Sequence, residues 1–79
     1  MRIIAEIPHS QFKISVFSWN SKYIIKIELG NFEQAFKLRE DEVSGLEDIK
    51  KLLTDSFLEK SLKNFIEMRS AFSESFSKL

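Results

Sequence analysis

The sequence contains no cysteine, which excludes disulfide bridges, thiolate zinc sites and cysteine nucleophiles. Its two glycines, Gly30 and Gly45, are too few and too far apart for a glycine-rich loop around phosphate. No apolar run approaches the roughly 18 residues of a membrane-spanning helix. The first ten residues, MRIIAEIPHS, are too polar for a signal peptide. These features predict a cytoplasmic protein that does not enter a membrane.

Residues suited to catalysis or metal binding are also scarce. The one histidine, His9, follows Pro8 in a predicted turn, and no motif places it beside a nucleophile. The acidic run Glu40-Asp41-Glu42 lacks the alternate spacing of a calcium loop, and carboxylates just before a helix favour its positive end. We therefore expect no enzymatic activity, no catalytic residue, no metal, no cofactor and no small-molecule substrate.

What the chain does have is eight phenylalanines in 79 residues and two halves of different character. Such a length predicts a single domain, 1–79. Residues 1–39 form a predicted sheet half with six basic and three acidic side chains. Residues 40–79 form a predicted helical half with six basic and nine acidic side chains. The formal net charge is zero.

Residues 1–39 alternate between apolar and polar side chains, the pattern of half-buried strands. Turn-like sequences at 8–10, 20–21 and 30–31 divide them into strands at about 2–7, 11–19, 22–29 and 32–38. Short connections favour an antiparallel meander, and with the helices predicted for residues 40–79 this makes an α+β fold. One face carries the apolar residues Phe12, Ile14, Val16, Tyr23, Ile25, Ile27, Leu29, Phe32, Phe36 and Leu38.

Two-residue turns fix the expected register of each hairpin. A turn at His9-Ser10 pairs Ile7 with Phe12 and Glu6 with Lys13. A turn at Asn20-Ser21 pairs Phe17 with Ile24, and Lys13 with Glu28. The third hairpin agrees less well with a two-residue turn. A turn at Gly30-Asn31 places Gln34 on the core face and Glu28 opposite Glu33, so a bulge or a longer loop would be no surprise there.

Residues 40–79 have helical periodicity. Ser44 with Glu47, and Ser56 with Glu59, match capping boxes, which predicts a short helix near 45–54, a break, and a longer helix from about 56. The longer helix has an apolar stripe spaced by four and three, interrupted at Arg69, which packs on one sheet face. Its members are Leu58, Leu62, Phe65, Phe72, Phe76 and Leu79.

The longer helix is too long for the sheet. A helix over residues 56–79 spans about 36 Å, whereas strands of this length span about 20–27 Å. Its last turns must therefore project or fray, with Phe72 and Phe76 in a serine-rich segment.

The outer sheet face carries an unexpected apolar patch. The predicted register groups Ile4, Phe17, Trp19 and Ile24 there. Contiguous aromatic patches usually mark interfaces, so we expect self-association or a protein partner that binds these residues, with Phe72 and Phe76 as a second contact. The intramolecular alternative is that the C-terminal segment folds over this face, or that the sheet curls enough to bury it.

A second alternative is single-stranded nucleic acid, which stacks bases on aromatic rings while basic side chains follow the phosphates. The outer face offers Phe17 and Trp19 with four lysines, namely Lys13, Lys22, Lys26 and Lys37. The order of four antiparallel strands and a helix is similar to that of PUR repeats and Whirly-type single-strand binders. This is an analogy of topology only, since no motif residues align and zero net charge disfavours phosphate binding.

Overall fold

The computed structural model describes all 79 residues and confirms the predicted fold class. Strands β1 (Arg2–Ile7), β2 (Lys13–Trp19), β3 (Lys22–Leu29) and β4 (Phe32–Arg39) form an antiparallel sheet in the order β1-β2-β3-β4. A 3₁₀ turn at Glu40–Glu42, helix α1 (Leu46–Leu52) and helix α2 (Asp55–Phe76) follow. Neither helix has the length and hydropathy required to cross a bilayer.

The β2–β3 hairpin has the predicted register. Phe17 pairs with Ile24 and Lys13 pairs with Glu28. Asn20 and Ser21 both have positive φ, 52° and 59°, as a type I′ turn requires. Because its twist matches that of the flanking strands, this turn keeps Phe17 and Trp19 on the face away from the helices.

The predicted register of the β1–β2 hairpin is wrong by two residues. Ile7 pairs with Ile14, not Phe12, and Glu6 faces Ser15, not Lys13. The reason is a longer loop in which the His9 side chain replaces strand hydrogen bonds: Nδ1 accepts from the backbone N–H groups of Gln11 at 3.0 Å and Phe12 at 3.3 Å. Phe12 enters the core instead of the ladder.

A β-bulge in β1 overturns the predicted position of Ile4. The register shifts between Ile3 and Ala5, so that Ile3 pairs with Phe17. Ile4 packs against the core instead of lying on the outer face. Because the extra residue interrupts the alternation of the strand, the consecutive side chains of Ile4 and Ala5 both lie on the core side.

The β3–β4 hairpin has a tight turn and no bulge, so the expected irregularity is wrong. Gly30 has a φ of 60°, which suits the first position of a type II′ turn. Glu28 does face Glu33, and Gln34 does point to the core side. Its Nε2 donates to the carbonyl of Ser61 at 3.0 Å, while its Oε1 is buried without a partner.

The core lies between one sheet face and the two helices. Its buried residues are Phe12, Ile14, Val16, Ile25, Ile27, Ile49, Leu58 and Phe65. Helix α2 runs antiparallel to β4, since Phe57 lies against Phe36 and, further along the helix, Phe72 lies against Phe32. The β-branched residues of β2 and β3 fit this half-buried sheet surface.

The helices begin with different caps from those predicted. Gly45, with a φ of 143°, precedes α1, and the backbone N–H of Ser44 donates to Asp48 Oδ2 at 2.8 Å. This hydrogen bond holds the pKa of Asp48 below its usual value. At α2 the cap is Thr54, whose Oγ1 accepts from the backbone N–H of Phe57 at 3.1 Å. The predicted break between the helices is confirmed at residues 53–54.

The strain at Ser21 gives a first prediction. A non-glycine residue with positive φ is strained, so Ser21→Gly should raise the free energy of unfolding by about 0.5–1 kcal/mol. Urea unfolding followed by circular dichroism measures it. The control, Ser10→Gly, lies in a loop without positive φ and should lose a few tenths of a kcal/mol. Equal losses in both variants would contradict the turn assignment.

Candidate functional site

The outer sheet face carries Phe17, Trp19 and Ile24, as predicted, together with Ile3, which pairs with Phe17. The helices cover the opposite face, so nothing from α1 or α2 lies on these residues. We call Ile3, Phe17, Trp19 and Ile24 the outer patch. The C-terminal segment does not fold over it, because Phe72 contacts Phe32 on the helix side of the sheet.

Two of the four residues of the outer patch, Phe17 and Ile24, are covered wholly or in part by their own neighbours. Ile24 is only 4% exposed, although no helix covers it. Phe17 and Lys37 flank it on the adjacent strands, and the Lys26 ammonium lies over the Phe17 ring at 5.1 Å. Lysine stems can cover apolar surface in this way while the charge remains in water. Ile24 is therefore a buried residue and not an available contact.

What remains exposed on this face is small. Ile3 is 47% and Trp19 50% exposed, while Phe17, which pairs with Ile3 and lies two residues before Trp19 on β2, is half-buried. Single exposed apolar residues are normal on protein surfaces. The outer patch thus offers less contact area than the sequence predicted.

The charges of the outer face are mixed. All four predicted nucleic-acid contacts, Lys13, Lys22, Lys26 and Lys37, lie on it. Cross-strand pairing also places Glu28 beside Lys13, and Glu33 beside Glu28. At the other end of the face the 3₁₀ turn brings acidic residues close to Lys22, where Glu40 and Asp41 line the same depression. A continuous basic track is not formed.

The strongest exposed apolar feature is the end of α2. Every residue from Arg69 to Leu79 is exposed, and we call this segment the C-terminal arm. Phe72 and Phe76 stack on each other with ring centroids 5.9 Å apart, yet they remain 59% and 61% exposed. The only aromatic contact from the arm to the sheet is the edge-on approach of Phe72 to Phe32. The molecule is accordingly elongated, 46 × 26 × 19 Å.

A groove lies at the base of the C-terminal arm, between α2 and the β3–β4 turn. It has a volume of about 510 Å³. Its apolar lining consists of Leu29, Phe32, Leu62, Phe65 and Ile66. We call it the hairpin groove. The groove has no signal in the sequence, because it depends on how α2 crosses the hairpin, which the strand and helix periodicities do not specify.

His9 has a structural role in the β1–β2 loop. Its Nδ1 accepts two backbone hydrogen bonds, and its ring stacks on Phe12 with centroids 5.0 Å apart. Asp55 and Glu59 line the same shallow depression, but no hydrogen bond joins either carboxylate to the imidazole. A general base needs its accepting ring nitrogen free, and here that nitrogen, Nδ1, is occupied by the two backbone N–H groups.

The acidic residues that follow β4 form ion pairs and a hydrogen bond within the protein. Arg39 Nε lies 3.1 Å from Asp41 Oδ1 and 3.5 Å from Glu42 Oε1. Glu40 Oε1 accepts a hydrogen bond from the Ser18 hydroxyl at 3.3 Å. No cluster of three histidine or acidic side chains has metal-binding geometry. These carboxylates fix the end of β4 to the β2–β3 hairpin.

Comparison with known proteins gives no relative: no family model, no curated protein and no solved structure matches the chain. The topological analogy with PUR and Whirly proteins therefore rests on element order alone.

The contact between Lys26 and Phe17 gives a second prediction. Lys26→Ala should lower the free energy of unfolding by about 1 kcal/mol, because it removes a cation–π contact and the cover of the outer patch. Urea unfolding measures the change. Lys13→Ala is the matched control on the same face, since Lys13 is exposed and contacts no ring; it should change stability by less than about 0.5 kcal/mol. Indistinguishable losses would refute the covering role of Lys26.

Proposed function

We propose that this protein is a non-enzymatic binding module that associates with a second copy of itself through the C-terminal arm. The observation that carries the proposal is the pair Phe72 and Phe76, which stack on each other at the end of the sheet and remain 59% and 61% exposed. Adjacent exposed aromatic residues usually mark an interaction site, and aromatic side chains dominate the energetics of interfaces. The absence of cysteine is consistent with a cytoplasmic location.

The C-terminal arm is a better candidate than the outer patch. In the outer patch Ile24 is buried and Phe17 is engaged by Lys26, so a partner would gain little apolar area there. In the arm both phenylalanines project into solvent next to the apolar hairpin groove. A surface that combines a projecting ring pair with an apolar groove is self-complementary, which favours a two-fold dimer over a different partner.

Single-stranded nucleic acid binding is the weaker alternative. The Lys26 ammonium already occupies one face of the Phe17 ring, so a base could not stack there without displacing it. Glu28, Glu33 and Glu40 interrupt the lysines of the outer face. Phosphate binding relies on uninterrupted basic surface, and Trp19 alone offers an exposed ring.

Sedimentation equilibrium at tens of micromolar tests the proposal. The wild type should approach twice the monomer mass of 9.3 kDa, whereas the double variant Phe72→Ser/Phe76→Ser should remain monomeric, because it removes the exposed rings. Both side chains lie outside the buried core, so the variant should keep the circular dichroism spectrum of a folded protein.

Trp19→Ser is the matched control, since it removes the most exposed aromatic side chain of the outer patch. It should associate like the wild type. A wild type that stays at the monomer mass would contradict the proposal, as would association that Trp19→Ser abolishes and the double phenylalanine variant does not.

A further inference from the structure

We infer that the two copies pair with their α2 helices antiparallel, so that the C-terminal arm of each lies in the hairpin groove of the other. This inference rests on the proposed self-association and assigns it a geometry. Three observations carry it: the area that the monomer leaves exposed, the relative positions of arm and groove, and the spacing of apolar residues along α2.

The accessible surface that this chain exposes in excess of a compact monomer is close to the area that one copy buries in a dimer. The chain has 5890 Å² of accessible surface, whereas a compact monomer of 9.3 kDa should expose about 5,000 Å². The excess is therefore roughly 900 Å² per copy, close to the roughly 800 Å² that each partner contributes to a standard interface. Ile66, Phe72 and Phe76 are among the most exposed large apolar side chains, so the excess is concentrated on one stretch of α2.

The positions of arm and groove favour the antiparallel orientation. The hairpin groove lies beside residues 62–69 of α2, and the exposed rings follow at Phe72 and Phe76. In a parallel pair each arm would meet the other arm, and both grooves would remain open. In an antiparallel pair related by a two-fold axis, each arm runs back along the partner's α2 and covers its groove.

The position of the groove sets the register. Residues 62, 65, 69, 72 and 76 follow the alternating steps of three and four that are typical of a seam between paired helices. Phe65 is buried in the core of its own copy, so the exposed part of this seam is Arg69, Phe72 and Phe76. For Phe76 to reach the groove beside Phe65 and Ile66 of the second copy, the two-fold axis must pass between residues 70 and 71. Arg69 then faces Phe72 of the second copy.

Arg69 gives this register a specific contact. It is the one polar residue of the seam between residues 58 and 79, and it lines the hairpin groove. A guanidinium packs well on an aromatic face, so Arg69 can lie on Phe72 of the second copy while its charge reaches water near the axis. A single polar residue in such a seam often selects one register over others.

Distances between spin labels test this geometry, and the absence of native cysteine makes each label site unique. Lys63, Ser70 and Ser77 are exposed and lie seven residues apart on one stripe away from the seam, the first two in α2 and Ser77 as its C-cap. Each is replaced singly, as Lys63→Cys, Ser70→Cys and Ser77→Cys, and labelled. The distance between the two labels of a dimer is then measured by double electron–electron resonance.

The antiparallel pair predicts the shortest distance for the Ser70 site, whose two copies are offset by only about 1.5 Å along the helix axis. The Lys63 and Ser77 sites should give clearly longer distances, with axial offsets of about 20 Å. Three equal distances would mean parallel helices, and a minimum at another site would mean another register; either overturns this geometry while self-association stands. No dipolar coupling at any site, with a monomer mass by sedimentation, would overturn both.

Discussion

The structure depends on a mismatch between the length of one helix and the size of the sheet on which it packs. Helix α2 has 22 residues, about 33 Å, while β4 has eight residues, about 26 Å. Because α2 runs back along β4, its first half fills the core with Leu58 and Phe65. Its last contact with the sheet is Phe72 on Phe32, beside the β3–β4 turn. The apolar stripe continues past that point with nothing beneath it.

The apolar side chains of the outer face and those of the C-terminal arm differ in how far neighbouring residues cover them. On the outer face, cross-strand neighbours are close enough for lysine stems and Phe17 to cover Ile24. At the end of the sheet Phe72 has only the Phe32 ring and the Phe76 ring beside it, and Phe72 and Phe76 remain 59% and 61% exposed. The C-terminal arm is therefore the better candidate for an interface than the outer face. A small chain has few residues for its core, which makes two phenylalanines outside that core a costly arrangement unless something covers them.

The sequence predicts most of the fold because local signals agree with the tertiary structure. Asn20-Ser21 and Gly30-Asn31 have the chemistry of two-residue turns. Strand β3, which lies between them, pairs with β2 in the predicted register, and it pairs with β4 without the irregularity that was expected there. The predicted register of the first hairpin is wrong because the His9 side chain accepts hydrogen bonds from the backbone N–H groups of Gln11 and Phe12. Rules for turn sequences do not include such a contact. The predicted position of Ile4 is wrong because β1 contains a bulge. A bulge depends on packing between strands, and the alternation of apolar and polar residues does not predict it. The burial of Ile24 likewise depends on where neighbouring lysines lie.

The central claim is that a second copy covers the C-terminal arm. Hydrogen–deuterium exchange of the amides in residues 69–76, measured over a range of protein concentrations, tests it most directly. The segment is rich in serine and extends beyond the sheet, so in the monomer its amides should exchange quickly. Their protection should rise with concentration in proportion to the dimer fraction, while the amides of β2 and β3 stay constant. Fast exchange at every concentration would contradict the claim.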